Sequence, residues 1–213
     1  MAQEGRTRKG KFITFEGSEG CGKSTQSRML YRYLKKKGYD VVFLREPGGV
    51  KISEKIRGIL LDNRNKTMSS ACETLLYMAA RAEVVERLIR PSLKAGKIVV
   101  CDRFMDSTLV YQGYGLGVNM HYIKAIGEFV SAGIKPDLTI LLDLAVKKGL
   151  KHRQAAKDRI EQRPLSYHLL VRRGYLSLAR REPKRIKTVR VQEHKSLTQG
   201  IIRGLVDSLL SIT

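Results

Sequence analysis

Apolar residues recur along this chain in two alternating rhythms. Short, continuous apolar or β-favouring runs occupy residues 12–16, 41–44, 98–101, 138–142 and 186–191. The first four lack the in-out alternation of a strand with one wet face. They predict strands buried on both faces of a parallel sheet. Between the runs, apolar residues take helical spacing over 24–37, 53–61, 69–93, 120–132, 146–156, 165–181 and 197–210. In the first of these, Met29, Leu30, Tyr33 and Leu34 share one face. Pro91 is expected to disturb the third near its end, because it has no N–H to donate and its ring crowds the preceding turn. Alternating strands and helices predict an α/β fold: a doubly wound, parallel, five-stranded sheet flanked by helices. Ligands on such sheets bind beyond the carboxyl ends of the strands. No internal repeat or linker divides the chain, so residues 1–213 read as a single domain, with 1–10 as a basic N-terminal extension.

The first strand runs directly into Gly17-Ser18-Glu19-Gly20-Cys21-Gly22-Lys23-Ser24, which meets G-x-x-x-x-G-K-[ST] at every fixed position. Strand, glycine-rich loop and helix in that order make a phosphate cradle. Glycines let the backbone turn its N–H groups inward, and the helix N-terminus adds roughly half a positive charge facing the anion. Lys23 is expected on the β- and γ-phosphates and the Ser24 hydroxyl on Mg²⁺.

Two other strand ends carry chemistry. Arg45-Glu46-Pro47-Gly48-Gly49 follows the second run, and Asp102-Arg103-Phe104 follows the third. An apolar run closed by an aspartate is the form of a carboxylate that holds Mg²⁺ directly or through water. Asp143 fits that form equally well; Arg103, a guanidinium beside the phosphates, favours Asp102.

Composition adds a second hypothesis. The formal net charge is +21, with Arg172, Arg173, Arg180, Arg181, Lys184, Arg185, Lys187 and Arg190 close together. Such an excess suits an ATPase that binds nucleic acid. One aromatic, Tyr175, falls within that cluster, not the interleaved series that a base-stacking platform would require, so a solvated basic surface is the better reading. Cys21, Cys72 and Cys101 follow no disulfide or zinc spacing, and the four histidines follow no metal spacing. Cys21 reads as a small loop residue, although a helix N-terminus can activate a thiol. No run approaches the roughly 18 apolar residues of a membrane span. The basic start leads into a strand instead of a signal-peptide apolar stretch, so a cytoplasmic protein without a membrane partner is expected.

Taken together, the segments identify a resemblance. Residues 12–17 running into the phosphate loop, Arg45-Glu46-Pro47-Gly48-Gly49, Leu75-Leu76-Tyr77-Met78-Ala79-Ala80-Arg81 and Asp102-Arg103-Phe104-Met105-Asp106-Ser107-Thr108 stand in one order. Tyr111-Gln112-Gly113, Pro136-Asp137-Leu138-Thr139 and Asp158-Arg159-Ile160-Glu161 follow. In order and spacing this resembles the thymidylate kinases of the bacterial kind, from about residue 11 to the C-terminus. The resemblance implies transfer of the γ-phosphoryl group of ATP to dTMP, with Mg²⁺, in a homodimer. It implies that Gly17, Ser18, Glu19, Gly20, Cys21, Gly22, Lys23, Ser24 and Thr25 hold ATP, and that Ser24 and Asp102 serve the metal. Glu19 would also meet the sugar 3′-hydroxyl of dTMP. Arg45, Arg81 and Arg103 would surround the acceptor phosphate. Tyr77, at a position usually Phe, would stack on thymine. Thr108, with Ser107 beside it, would hydrogen-bond the base, Tyr111 would crowd the sugar C2′, and Gln112 follows in the same site. The phosphate loop contains no arginine. The resemblance then implies that the arginine stabilising the transferring phosphoryl comes from a mobile lid at about 149–162, with Arg153 and Arg159 as candidates beside the catalytic Lys23 and Arg103. Another nucleoside monophosphate as acceptor is the alternative within the same fold.

Overall fold

The computed structural model of the protein describes residues 10–152 and 158–211. The N-terminal extension therefore lies outside the described residues except for Gly10, and Arg153 lies outside them altogether. Five strands are observed: β1 (Lys11–Glu16), β2 (Val41–Arg45), β3 (Ile98–Asp102), β4 (Leu138–Asp143) and β5 (Ile186–Arg190). All pair in parallel in the order β2-β3-β1-β4-β5. The expected doubly wound sheet is present. β1 is central, between β3 and β4, and every residue from Phe12 to Glu16 is buried.

The helices are α1 (Lys23–Lys36), α2 (Lys51–Leu61), α3 (Ser70–Val84), α4 (Arg90–Lys94), α5 (Met105–Thr108), α6 (Met120–Ser131), α7 (Val146–Lys151), α8 (Leu165–Arg181) and α9 (Lys195–Ser211). On one face of the sheet, Leu30 and Leu34 of α1 and Ile202 and Val206 of α9 pack on Ile13, Phe15, Val100 and Ile140. On the other face, Val84, Val85 and Ile89 cover Phe12, Val99 and Cys101, while α8 contributes Val171, Tyr175 and Leu178.

Two stretches depart from the sequence expectation. The segment expected as one helix over 69–93 is α3, then a π-helical turn at Val85–Ile89, then α4. The wider turn lies immediately before Pro91, where the proline ring would crowd the carbonyl four residues back and no N–H is available to it. After β3, where no helix was expected, α5 runs into a second π-helical stretch, Leu109–Gly115. The sequence Leu109-Val110-Tyr111-Gln112-Gly113-Tyr114-Gly115 is rich in β-favouring residues and glycine, so helical propensity is weak there. The helix expected over 146–156 is observed as α7; its remaining expected residues beyond His152 lie outside the described residues.

Candidate active site

The chain leaves β1 through three glycines with positive φ, Gly17 at 142°, Gly20 at 69° and Gly22 at 91°, and enters α1 at Lys23. L-residues with a side chain rarely adopt these angles, so the loop can be drawn this tight only with glycine. A Cβ on Gly20 would lie 1.9 Å from the Gly149 carbonyl oxygen, and one on Gly149 would lie 2.3 Å from that of Glu19. The phosphate loop and α7 thus meet backbone to backbone.

Lys23 is 6% exposed. Its Nζ donates to the Ser18 carbonyl at 2.8 Å and approaches Cys21 Sγ at 3.7 Å. Burial pushes the Cys21 thiol up despite the pull of Lys23, so this cysteine is a small buried filler and not an activated thiol. Ser24 Oγ donates to Asp102 Oδ2 at 2.5 Å. Asp143, the rival aspartate, instead takes two hydrogen bonds from Arg172, at 2.7 and 2.9 Å. Hard oxygen donors at the mouth of a phosphate loop fit Mg²⁺, which keeps several waters and takes its other ligands from phosphate. Among the described residues no cluster of three or more His, Cys, Asp or Glu forms a self-sufficient metal cage.

Lys23, Ser24 and Asp102 border one cleft of about 470 Å³ at the carboxyl ends of the strands. Of the expected site residues, Glu19, Gly20, Gly22, Lys23, Ser24, Thr25, Arg45, Tyr77, Arg81, Asp102, Arg103, Ser107, Thr108, Tyr111 and Gln112 line it. Gly17, Ser18 and Cys21 lie behind this lining, buried in the turn of the loop.

Arg103 has φ 74°, uncommon for a residue with a side chain. Its backbone N–H donates to the Phe15 carbonyl at 2.9 Å. Its guanidinium donates to Glu19 at 2.7 Å, Ser107 at 3.1 Å and Tyr175 at 3.2 Å, and lies 4.8 Å over the Tyr111 ring. Burial alone would push Arg103 down. Glu19, Tyr111, Tyr175 and Glu16 outweigh it and hold the group well above its ordinary value, so it stays cationic. Tyr111 Oη donates to the same Glu19 oxygen at 2.7 Å.

Beneath lies Glu16, which the sequence reading passed over as the last residue of a strand. It is fully buried. It accepts from Phe104 N, Ser107 N, Ser107 Oγ and Tyr175 Oη at 2.6–3.2 Å. Burial, then nearby Asp106, push its carboxyl up from 4.5 to about 7, against the pull of Arg103, Ser107 and Tyr175. Between those values the folded chain keeps a proton that the unfolded chain has released, so this group's contribution to stability falls as pH rises from about 4.5 to 7. The swing is roughly 3 kcal/mol. Glu16→Gln is therefore expected to gain on the wild type between pH 5 and pH 8 in urea midpoint. Parallel pH profiles for the two proteins would contradict the assignment.

Arg81 is 2% exposed and forms an ion pair with Glu46 at 2.8 Å. Its Nη1 donates to Thr108 Oγ1 at 3.0 Å and its Nη2 to the Phe104 carbonyl at 3.1 Å. Expected among the phosphate arginines, it lines the cleft beside Thr108, with its charge balanced by a buried carboxylate. Arg45 donates to the Pro47 carbonyl and to Glu54 and remains part-exposed. Arg57, which the sequence reading did not single out, also lines the cleft and shares that carbonyl at 3.1 Å.

Arg159, expected as one of two lid arginines, does not line this cleft. Its Nη2 meets Glu73 at 2.6 Å and its Nε donates to the Leu60 carbonyl at 2.9 Å. A guanidinium so held is part of the frame, because freeing it would leave Glu73 buried without that partner. His152 and Asp158, on either side of the undescribed stretch, do border the cleft. Neither Glu73 nor Tyr175 carries a local sequence signal, since their roles come from contacts across 39 residues or more. The basic cluster is also divided: Arg172 is paired with Asp143 and Arg185 with Asp106 at 2.7 Å.

Comparison with known proteins gives one answer. The family model described as thymidylate kinase matches residues 15–202. A thymidylate kinase of Symbiobacterium thermophilum is 49% identical over 93% of this chain and 94% of the relative. One of Caldanaerobacter subterraneus subsp. tengcongensis is 46% identical over 94% and 97%. The crystal structure of thymidylate kinase from Ehrlichia chaffeensis is 32% identical, with a TM-score of 0.77, covering 93% of this chain and 98% of that one.

Proposed function

The chain belongs to the thymidylate kinase family, and on that premise we propose that its cleft transfers the γ-phosphoryl group of ATP to dTMP, giving dTDP, with Mg²⁺. The observation that carries this reading is the union, in one cleft, of a phosphate loop with a second subsite built from Tyr77, Arg81, Thr108, Tyr111 and Gln112. The acceptor phosphate is already an anion, so no strong general base is needed. The protein's task is to hold two mutually repelling anions in line. Lys23 and the backbone N–H groups of the loop would grip ATP. Ser24 and Asp102 would hold Mg²⁺, which neutralises phosphate charge when bound. Arg103, kept cationic and fixed by Glu19 and Ser107, would face the transferring group. Glu19, whose carboxylate is shared by Arg103 and Tyr111, lies where the sugar hydroxyl of dTMP would find an acceptor.

Arg45 and Arg57 would draw in the acceptor phosphate. Arg81, balanced by Glu46, is better suited to donate to a base carbonyl oxygen than to neutralise a dianion, and the Tyr77 ring would lie against the base. With Arg159 committed to Glu73, Arg153 is the remaining candidate for the lid arginine. Leu75, Tyr122 and Phe129, 54%, 63% and 85% exposed on α3 and α6, support a homodimer that buries this apolar face. No helix among the described residues is long and apolar enough to cross a membrane, and three free cysteines suit a reducing cytoplasm. Residues 1–213 would act as a single kinase domain.

The test is ADP release from ATP and Mg²⁺ with dTMP, dUMP, UMP, CMP, AMP and GMP offered separately. Strong preference for dTMP is expected. Preference for another monophosphate would keep the phosphate chemistry and overturn the assignment of the base subsite.

A further inference from the structure

Glu73 of α3 has no exposed surface. Its oxygens are divided between two regions. One accepts from Gln112 Nε2 at 2.9 Å. The other accepts from Arg159 at 2.6 Å and from Arg163 at 2.7 Å. A carboxylate facing two guanidiniums can only accept, so an amide turned toward it must present its nitrogen. The amide of Gln112 is thereby limited to one of its two orientations. Gln112 borders the cleft beside Thr108 and Tyr111, and with its nitrogen held on Glu73 the amide keeps its carbonyl oxygen, as an acceptor of fixed place, for a ligand, next to the second hydrogen of that nitrogen.

We propose that Glu73 is a positioning residue that decides which pyrimidine the cleft accepts, by fixing Gln112 as an acceptor. The proposal rests on the dTMP reading above. Thymine and uracil carry N–H at ring position 3, whereas cytosine carries a bare, accepting nitrogen there. A fixed amide oxygen pairs with the first and opposes the second. An amide free to turn would suit both.

The carboxylate itself cannot swing to follow a turning amide. Arg159 is anchored to the Leu60 carbonyl at 2.9 Å. Arg163 lies 4.6 Å over the Tyr167 ring, whose hydroxyl donates to the Tyr111 carbonyl at 3.2 Å. Both cations that hold Glu73 are therefore tied to separate elements of the frame, one of them reaching back to the cleft residue Tyr111.

The test compares the wild type, Glu73→Gln, Gln112→Leu and the double variant, each as the full chain. It measures kcat/KM for dTMP and dCMP together with the KM for ATP. Glu73→Gln is expected to narrow the dTMP to dCMP ratio by about tenfold or more, with the KM for ATP unchanged. Gln112→Leu should narrow it comparably, and the double variant no further, because Glu73 acts through Gln112. A merely structural role for Glu73 would not move the base ratio. A wild type without preference for dTMP would overturn the dTMP reading. A wild type that prefers dTMP, with the ratio intact in folded Glu73→Gln, would overturn this proposal alone. Where Glu73→Gln does not fold, an unchanged ratio in Gln112→Leu overturns it.

Discussion

Replacing Lys23 by alanine is expected to lower kcat by about 100- to 1,000-fold or more, with little change in the KM for dTMP. The side chain is buried, and its Nζ is already held by the Ser18 carbonyl at 2.8 Å. The cation is thus aimed before ATP arrives, and no reorganisation is needed when charge shifts between the phosphates. Removing it takes away stabilisation at the transferring group. It leaves the three positive-φ glycines of the loop in place, so the fold should survive with only a small change in melting temperature. Steady-state kinetics and a thermal melt on the same preparation separate the two effects. Near-normal turnover in a folded variant would refute the assignment of the loop.

The second large effect concerns stability. Glu46→Ala is expected to destabilise the fold by about 3–5 kcal/mol, because it strands Arg81 as an unpaired buried cation. The side chains of the pair are 2% and 4% exposed, and the second Glu46 oxygen has no protein partner. Burial pushes the Glu46 carboxyl up while Arg81 pulls it down, so the pair has little reserve. Glu46→Gln keeps the shape and one acceptor and should lose less. Denaturant midpoints compare the two variants. Equal midpoints for wild type and Glu46→Ala would show that Arg81 finds sufficient partners in Thr108 and the Phe104 carbonyl.

Much of the frame was legible because local patterns carry it. Continuous apolar runs marked the first four strands, a shorter β-favouring stretch marked the fifth, and the phosphate-loop spacing marked where β1 ends and α1 begins. The helical character of the stretch from Met105 to Gly115 was not legible, since its residues favour strands and turns. Tertiary packing overrides that preference, and Val110 and Tyr111 are buried against α8. That run brings Ser107, Thr108, Tyr111 and Gln112 to one cleft, a spacing of one and four residues that hints at a helix only in hindsight. Arg81 and Arg159 were legible as important cations but not as to what they face. Their carboxylates, Glu46 and Glu73, lie 35 and 86 residues away in sequence, and no motif links them. Glu16 illustrates the same limit from the other side. An acidic residue closing an apolar strand reads as the point where the chain surfaces, yet here its carboxyl is fully buried under the site.

The meeting of Gly20 and Gly149 has a mechanical consequence. With no side chain between them, the phosphate loop and α7 have no clearance, and a displacement of one presses on the other. A change in α7 would be felt at the loop directly, through main-chain atoms that no rotamer change can cushion. Tuning of the grip on ATP is therefore open to substitutions along Val146, Lys147, Lys148 and Leu150, residues that need never touch the nucleotide.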